Sequence, residues 1–463
     1  MSLRRRVLHG GVYLILRQGL GIIISTGGVI LLARTIGPDA YGVYAAAFGI
    51  YTYVANVCRW GVDVYLVRRE SEPPLQDYHQ AFSLLLLVSL AGAGLAILAL
   101  PLLERWMQLE RFGSVAAALF AALPLIVLST VPLARLERAL DFRKVALVEL
   151  SGQVALYVVA LPSAYLGLGS WAPVLGIWAS QLLTLGLLYR ISGYRPRLHW
   201  EFTRVRAMMG YGLGISASDW LWNLTNLVNP LIVGRYVGAE AVAQVALAAR
   251  LVEQVGSIVI IPSTRISTPV FARLQADRAQ LLKAQAEAMS LQLMMQGPVL
   301  AGVGLIAPWF VPLLLGPSWL PAVTIYPFIA LSYLVGTAFS LHSALLWVLR
   351  RIWEVALFRL VHLVLLAVSA LLLVPPLGLI GYGYAELLAL PAWILLLIFF
   401  KVHVGKPVSA QATVWFTAWA VPVIGWPLGL WVWMSVVLPL TWSVTRGELL
   451  QAIAMVLKEM RRP

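Results

Sequence analysis

Apolar runs of membrane-spanning length recur along nearly the whole chain, and its charges collect in the short gaps between them. A spanning helix needs about 20 mostly apolar residues, and this 463-residue chain has room for at least twelve. Breaks at charged or Gly/Pro-rich segments set the helices at 11–36, 41–66, 79–103, 113–134, 145–166, 171–189, 208–234, 241–264, 286–315, 322–348, 355–374 and 379–400. Composition agrees. Only 12% of the residues are charged and 60% are hydrophobic, whereas a soluble domain carries about a quarter charged residues. The expected fold is all-α and polytopic, with little outside the lipid bilayer.

The charge balance tests this layout. The chain carries a net charge of +14, which in a soluble protein would suggest nucleic acid. Here the excess falls on alternate gaps. With a cytoplasmic N-terminus, one side receives Arg4–Arg6, Arg68, Arg69, Arg135, Arg138, Arg143, Lys144 and the arginines between 190 and 206. It also receives Arg265, Arg273, Arg278, Lys283, Arg350, Arg351, Lys401 and Lys406, whereas the other side gets Arg34, Arg105, Arg111 and Arg235. This is the positive-inside bias, and no nucleic-acid partner is expected. The basic start, Met1–Arg6, runs into an apolar stretch without a convincing cleavage site, which reads as a retained first helix. The single Cys58 excludes an intramolecular disulfide and a cysteine metal cage. Residues 411–442 are apolar but broken by Pro422, Gly425, Pro427 and Gly429, which reads as a short helical hairpin and brings the expected total to about 14 spans. From Glu448 to Arg462 an apolar face of Leu449, Ile453, Val456, Leu457 and Met460 suggests an interfacial helix. Tryptophans near helix ends, such as Trp106, Trp171, Trp200, Trp319 and Trp353, read as interfacial anchors.

An internal repeat organises the chain. Ala33-Arg34-Thr35-Ile36-Gly37-Pro38-Asp39-Ala40 aligns with Gly234-Arg235-Tyr236-Val237-Gly238-Ala239-Glu240-Ala241 at a shift of 235 − 34 = 201 positions. Each segment ends one span and opens the next. Gly37 permits a tight exit from a helix and Pro38 cannot continue it. Six spans per unit return the chain to the same face, so the halves should be parallel repeats, an arrangement that secondary transporters use with a substrate cavity between them.

These residues also carry a family resemblance. The run Leu32-Ala33-Arg34-Thr35-Ile36-Gly37-Pro38-Asp39-Ala40-Tyr41-Gly42-Val43-Tyr44 resembles the first hairpin of the oligosaccharide flippases, the polysaccharide transporters of the multidrug/oligosaccharidyl-lipid/polysaccharide exporter superfamily. Val233-Gly234-Arg235-Tyr236-Val237-Gly238, Ala248-Ala249-Arg250-Leu251 and Thr268-Pro269-Val270-Phe271-Ala272-Arg273-Leu274 resemble its second half, although Ala243-Gln244-Val245 stands where the family often has Gly-x-Tyr. The resemblance implies two six-helix bundles around a central cavity: an N-lobe over 1–200, a C-lobe over 201–405, and a C-terminal hairpin and tail over 406–463. It also implies translocation of a polyprenyl-diphosphate-linked oligosaccharide across a bacterial or archaeal cytoplasmic membrane, alongside other polysaccharide assembly proteins. Composition and periodicity alone reach only a multi-span transporter.

Charges are costly at the centre of a spanning helix, so they usually face a cavity or a partner. Arg17 lies in the first span, Arg59 and Asp63 in the second, Asp219 in the seventh, Arg250 and Glu253 in the eighth, and Arg359 in the eleventh. Asn56, Arg59 and Asp63 are spaced for one face of a helix, as are Arg250, Glu253 and Gln254. Guanidinium pairs well with phosphate, so Arg17, Arg59, Arg250 and Arg359 are the expected contacts of the diphosphate in a cationic cavity. Asp63, Asp219 and Glu253 are the candidates for coupling to H⁺ or Na⁺. No other cofactor is expected. The plain alternative is that Arg59–Asp63 and Arg250–Glu253 merely neutralise each other for insertion. A drug exporter of the same superfamily should favour acids over arginines. A membrane glycan polymerase or ligase needs a large aqueous loop, and no outer gap exceeds about ten residues. No P-loop, His-Glu-x-x-His or Gly-x-Ser-x-Gly motif occurs, and Gly378, Gly381 and Gly383 follow Pro375-Pro376 as a tight turn between spans.

Overall fold

With lipid beside them, apolar runs satisfy their own backbone groups by coiling. A computed structural model describes the backbone of residues 3–68, 73–275, 277–406, 410–425 and 429–460, and among these there is no strand. Side chains are described for the same residues apart from 3–18, 214, 215, 261, 262, 264–266, 268, 430 and 452–460. Ten helical stretches among the described residues are long and apolar enough to cross a membrane. The first of these, Gly19–Arg59, joins two helices that meet at Gly37 (φ 76°, ψ 168°).

The chain divides into two compact units, Met1–Ala246 with Leu314–Ser318, and Leu247–Leu313 with Trp319–Pro463. The first contains α1 (Leu3–Arg59), α2 (Val62–Arg68), α3 (Leu75–Leu98), α4 (Leu100–Met107), α5 (Phe112–Ala121) and α6 (Leu123–Leu128). It continues through α7 (Thr130–Arg138), α8 (Phe142–Tyr165), α9 (Trp171–Ser192), α10 (Phe202–Thr225), α11 (Gly234–Tyr236) and the start of α12 (Ala239–Leu274).

Within lipid, small residues let helix backbones approach closely, and the first unit is assembled on such contacts. A Cβ on Gly28 would stand 2.3 Å from the Tyr157 ring. That ring's hydroxyl donates to the Ser25 carbonyl at 3.1 Å, and Gln153 Nε2 donates to the Gly21 carbonyl at 2.7 Å. Together these fasten α8 to the first half of α1. On its second half, a Cβ on Gly42 would fall 1.8 Å from the Ala239 carbonyl oxygen.

The repeat is visible in the backbone. Gly37 and Gly238 both have positive φ, 76° and 100°, and 238 − 37 = 201, the shift that aligns the two sequences. The halves then diverge. Helix α1 stops at Arg59 because Trp60 (φ 49°) and Gly61 (φ 65°) turn left-handed, and α2 starts afresh at Val62. The expected single helix face of Asn56, Arg59 and Asp63 is therefore corrected: a left-handed break at Trp60–Gly61 separates Arg59 from Asp63. At the equivalent point, 60 + 201 = 261, α12 continues unbroken.

The break is pinned from α10. Trp60 Nε1 donates to the Met209 carbonyl at 3.1 Å, and its ring packs edge-on to Trp220 at 5.0 Å. A Cβ on Gly212 would meet the Trp60 carbonyl oxygen at 1.9 Å. The segment leading into α10 is strapped to α3. The Tyr194 hydroxyl donates to the Tyr78 carbonyl, His199 N–H donates to Ser83 Oγ, and Glu201 N–H donates to Gln80 Oε1. Arg204 pairs with the buried Asp77 at 2.6 Å and with Glu201. The Thr203 hydroxyl, which donates to Glu201, and the adjacent Arg204 guanidinium hold the Glu201 carboxyl below its ordinary range. Phe202–Ala246 belongs to the same compact unit as the helices before it.

The second unit contains the rest of α12, α13 (Arg278–Leu315), α14 (Leu320–Val348), α15 (Ile352–Leu377), α16 (Leu379–Ala389) and α17 (Ala392–His403). It ends with α18 (Ala410–Gly425), α19 (Leu438–Thr441) and α20 (Ser443–Met460). Gly378 (φ 60°) makes the expected turn between α15 and α16, and a Cβ on Gly381 would meet the Leu373 carbonyl oxygen at 2.2 Å. Beyond α18 the chain folds back through a 3₁₀ segment at Leu430–Val437, where Ser435 Oγ donates to the Ala418 carbonyl at 3.0 Å. Pro427 lies outside the described residues. The tail is helical, and its Glu448 accepts hydrogen bonds from Ser290 Oγ and Trp415 Nε1, both at 3.0 Å. The rest of its expected apolar face, Ile453, Val456, Leu457 and Met460, lies outside the described side chains.

Candidate functional site

A polar chamber of about 490 Å³ lies inside the first unit. Arg59 and Asp63 enter it from the two sides of the Trp60–Gly61 turn, Ser129, Thr130 and Glu137 from α6–α7, Glu149 and Gln153 from α8, and Ser180, Gln181 and Thr184 from α9. Gly152 makes the wall between α8 and α9 thin: a Cβ there would stand 2.3 Å from Thr184 Oγ1. Apolar side chains, among them Ile126, Leu156 and Leu188, make up the rest of the lining.

Trp60 keeps the chamber's two charged helix ends apart. A bulky residue in the left-handed region is an outlier and costs of order 1–3 kcal/mol. The surrounding contacts hold it there: the indole bond to Met209, the Trp220 ring, and Gly61, where a Cβ would come 2.6 Å from Ser216 Oγ.

Among the described lining residues, three carboxylates, Asp63, Glu137 and Glu149, accompany one guanidinium, Arg59. Arg59 is half-buried, and its Nε has no hydrogen-bond partner. Among the described residues Arg59 and Asp63 close no ion pair with each other. The chamber therefore holds carboxylates beside hydroxyl and amide groups, a set able to take up and release a proton. Among the described residues no three His, Cys, Asp or Glu side chains gather as a metal site.

The other expected site residues are dispersed. Asp219 is exposed on α10, and its backbone carbonyl accepts from Asn223 Nδ2 at 2.7 Å. Arg250 and Glu253 belong to the second unit, one turn apart on α12, and form no ion pair with each other among the described residues. Arg359, also in the second unit, stacks its guanidinium over Trp347 at 5.2 Å. The side chain of Arg17 lies outside the described residues. Glu137, Glu149 and Gln153 were not singled out by sequence. Glu149 did carry a signal, as an acid inside the apolar run 145–166.

The family model described as "Polysaccharide biosynthesis protein" matches residues 31–324. The chain belongs to this family. Two curated relatives of this polysaccharide biosynthesis protein are bacterial. The succinoglycan biosynthesis transport protein ExoT of Rhizobium meliloti is 25% identical over 304 residues, 65% of this chain and 61% of the relative. The lipopolysaccharide biosynthesis protein WzxC of Escherichia coli is 22% identical over 355 residues, 73% of this chain and 68% of the relative. Among solved structures, the lipid II flippase MurJ in an inward closed conformation covers 96% of this chain and 100% of its own, with a TM-score of 0.74 at 11% identity. An inward-facing multidrug resistance MATE transporter covers 84% of this chain and 98% of its own, with a TM-score of 0.68 at 17% identity. The fold of this family member is that of the MATE and MurJ transporters.

Proposed function

We propose that this multi-span membrane protein flips a polyprenyl-diphosphate-linked oligosaccharide between leaflets of a bacterial cytoplasmic membrane, for assembly of a surface polysaccharide. Membership of the polysaccharide biosynthesis family is the observation that carries this reading. The curated relatives, all named for succinoglycan, lipopolysaccharide or amylovoran biosynthesis, support it. The N-terminus lies in the cytoplasm, the chain crosses the bilayer about 14 times, and two lobes open in turn to either side. Arg17, Arg250 and Arg359 meet the diphosphate as the lobes exchange access, with Arg59 as a further cationic contact at the first unit. The chamber supplies the coupling: Asp63, Glu137 and Glu149 take up a proton or Na⁺, with Arg59 as an internal counter-cation. A single carboxylate suffices to carry a proton, which makes the proton the simpler of the two ions. Asp219 and Glu253 serve as further coupling acids.

The test uses proteoliposomes loaded with a polyprenyl-diphosphate-linked oligosaccharide, with its glycan read from outside by an impermeant lectin. An imposed pH gradient should accelerate exposure of the glycan. Glu137→Gln and Glu149→Gln should remove that acceleration while the protein remains folded. Export of a small cationic dye without any glycan movement would overturn the flippase reading. A response to Na⁺ alone would overturn the proton.

A further inference from the structure

The second unit buries glutamines on one face of α13. Gln285, Gln292 and Gln296 follow one another at i, i+7 and i+11, and none is more than 1% exposed. That spacing stacks them along one side of the helix. Across from them runs α14. Gln285 Nε2 sits 3.3 Å from the His342 ring nitrogens, and Ser340 Oγ donates to Gln292 Oε1 at 3.2 Å. Further along, the Tyr326 hydroxyl donates to the Leu300 carbonyl at 2.8 Å. These side chains leave four amide ends without a partner: Gln285 Oε1, Gln292 Nε2, and both Nε2 and Oε1 of Gln296. Swapping the oxygen and nitrogen of an amide does not change this for Gln296, where both ends are unpaired.

Buried polar groups in proteins are paired, and those in lipid more strictly so. The four ends are two N–H donors and two carbonyl acceptors. A cation satisfies only the carbonyls and an anion only the N–H groups. Water both donates and accepts, and a buried water typically makes about three bonds to otherwise unsatisfied groups. We propose that the α13–α14 seam of the second unit is an internal water site, with ordered water bridging Gln285, Gln292 and Gln296. The two helices are then joined in part by exchangeable water bonds. This site is independent of the transport reading.

Brief X-ray radiolysis of the full chain in lipid nanodiscs, followed by mass spectrometry, reads such water by the oxidation it causes in adjacent side chains. Met289 is 5% exposed and lies on the glutamine face, where its sulfur takes a contact from Gln285 Nε2 at 3.9 Å. Met294 points from the opposite face of α13, and Met107 is 1% exposed in the first unit. Met289 should oxidise faster than either, and Gln296→Leu should bring it down to their rate. Equal rates at Met289, Met294 and Met107 in the unmodified protein would overturn the proposal, because the seam would then be dry. The unmodified protein decides this even if Gln296→Leu fails to fold.

Discussion

Replacing Gly42 with alanine tests whether backbone contact between α1 and α12 sets the stability of the first unit. The new Cβ would lie 1.8 Å from the Ala239 carbonyl oxygen and 2.4 Å from its carbon. Real Cβ contacts essentially never fall below 3.0 Å, so the helices must part by about 3.0 − 1.8 = 1.2 Å. Neither atom belongs to a side chain that could swing away. Gly27 on the same helix provides the reference, because a Cβ there meets nothing within 4 Å. Both substitutions gain the same helix propensity, about 0.8–1.0 kcal/mol, so their difference isolates the clash. Overpacking typically costs about 1–3 kcal/mol. Gly27→Ala should therefore be neutral or stabilising, and Gly42→Ala should be less stable than Gly27→Ala by about 1–3 kcal/mol. Denaturant unfolding of purified protein in mixed micelles, followed by tryptophan fluorescence, measures the gap. Equal stability of the two variants would refute the backbone contact.

Tyr157→Phe removes the hydroxyl that holds Ser25 on α1, and hydrogen bonds within membrane bundles average about 0.6 kcal/mol, so a loss of that size in the same unfolding assay is expected. Gly61→Ala adds a Cβ at φ 65° and 2.6 Å from Ser216 Oγ; it should destabilise the first unit by about 1–3 kcal/mol and slow glycan exposure in proteoliposomes. The strap between α9 and α10 should respond to acid. The Glu201 carboxyl titrates below its ordinary value in the folded protein, so its contribution is present above the unfolded value and fades as pH falls through the folded one. Amide exchange over residues 193–205 should accelerate only below about pH 4.5, near the unfolded carboxylate range.

Turn chemistry is local, and it was legible in the chain. Gly37-Pro38, its partner at Gly238, and the Pro375-Pro376-to-Gly378 corner could each be read from a few neighbouring residues, and each is a turn in the structure. The relation of Arg59 to Asp63 was not legible, because helix spacing applies only while the helix lasts. Nothing in the local sequence favours a left-handed tryptophan at position 60. Its conformation is imposed by Met209, Gly212 and Trp220, about 150 residues away. Glu137 stood at the edge of a gap rich in Arg135, Arg138 and Arg143, where an acid reads as a surface group. Only the packing of α1, α2 and α6–α9 turns it inward. The glutamine spacing on α13 could be counted in advance, but its facing residues on α14 are some 50 positions further along.

The uninterrupted course of α12 has a mechanical consequence. Its 36 residues, at about 1.5 Å each, give a contour near 54 Å, well beyond the roughly 30 Å thickness of the hydrocarbon layer. The 38 residues of α13 exceed that thickness as well. Helices longer than the hydrocarbon layer tilt within it or project beyond it, so a spectroscopic label on Arg278, at the start of α13, should move further with any change of tilt than one placed at mid-helix.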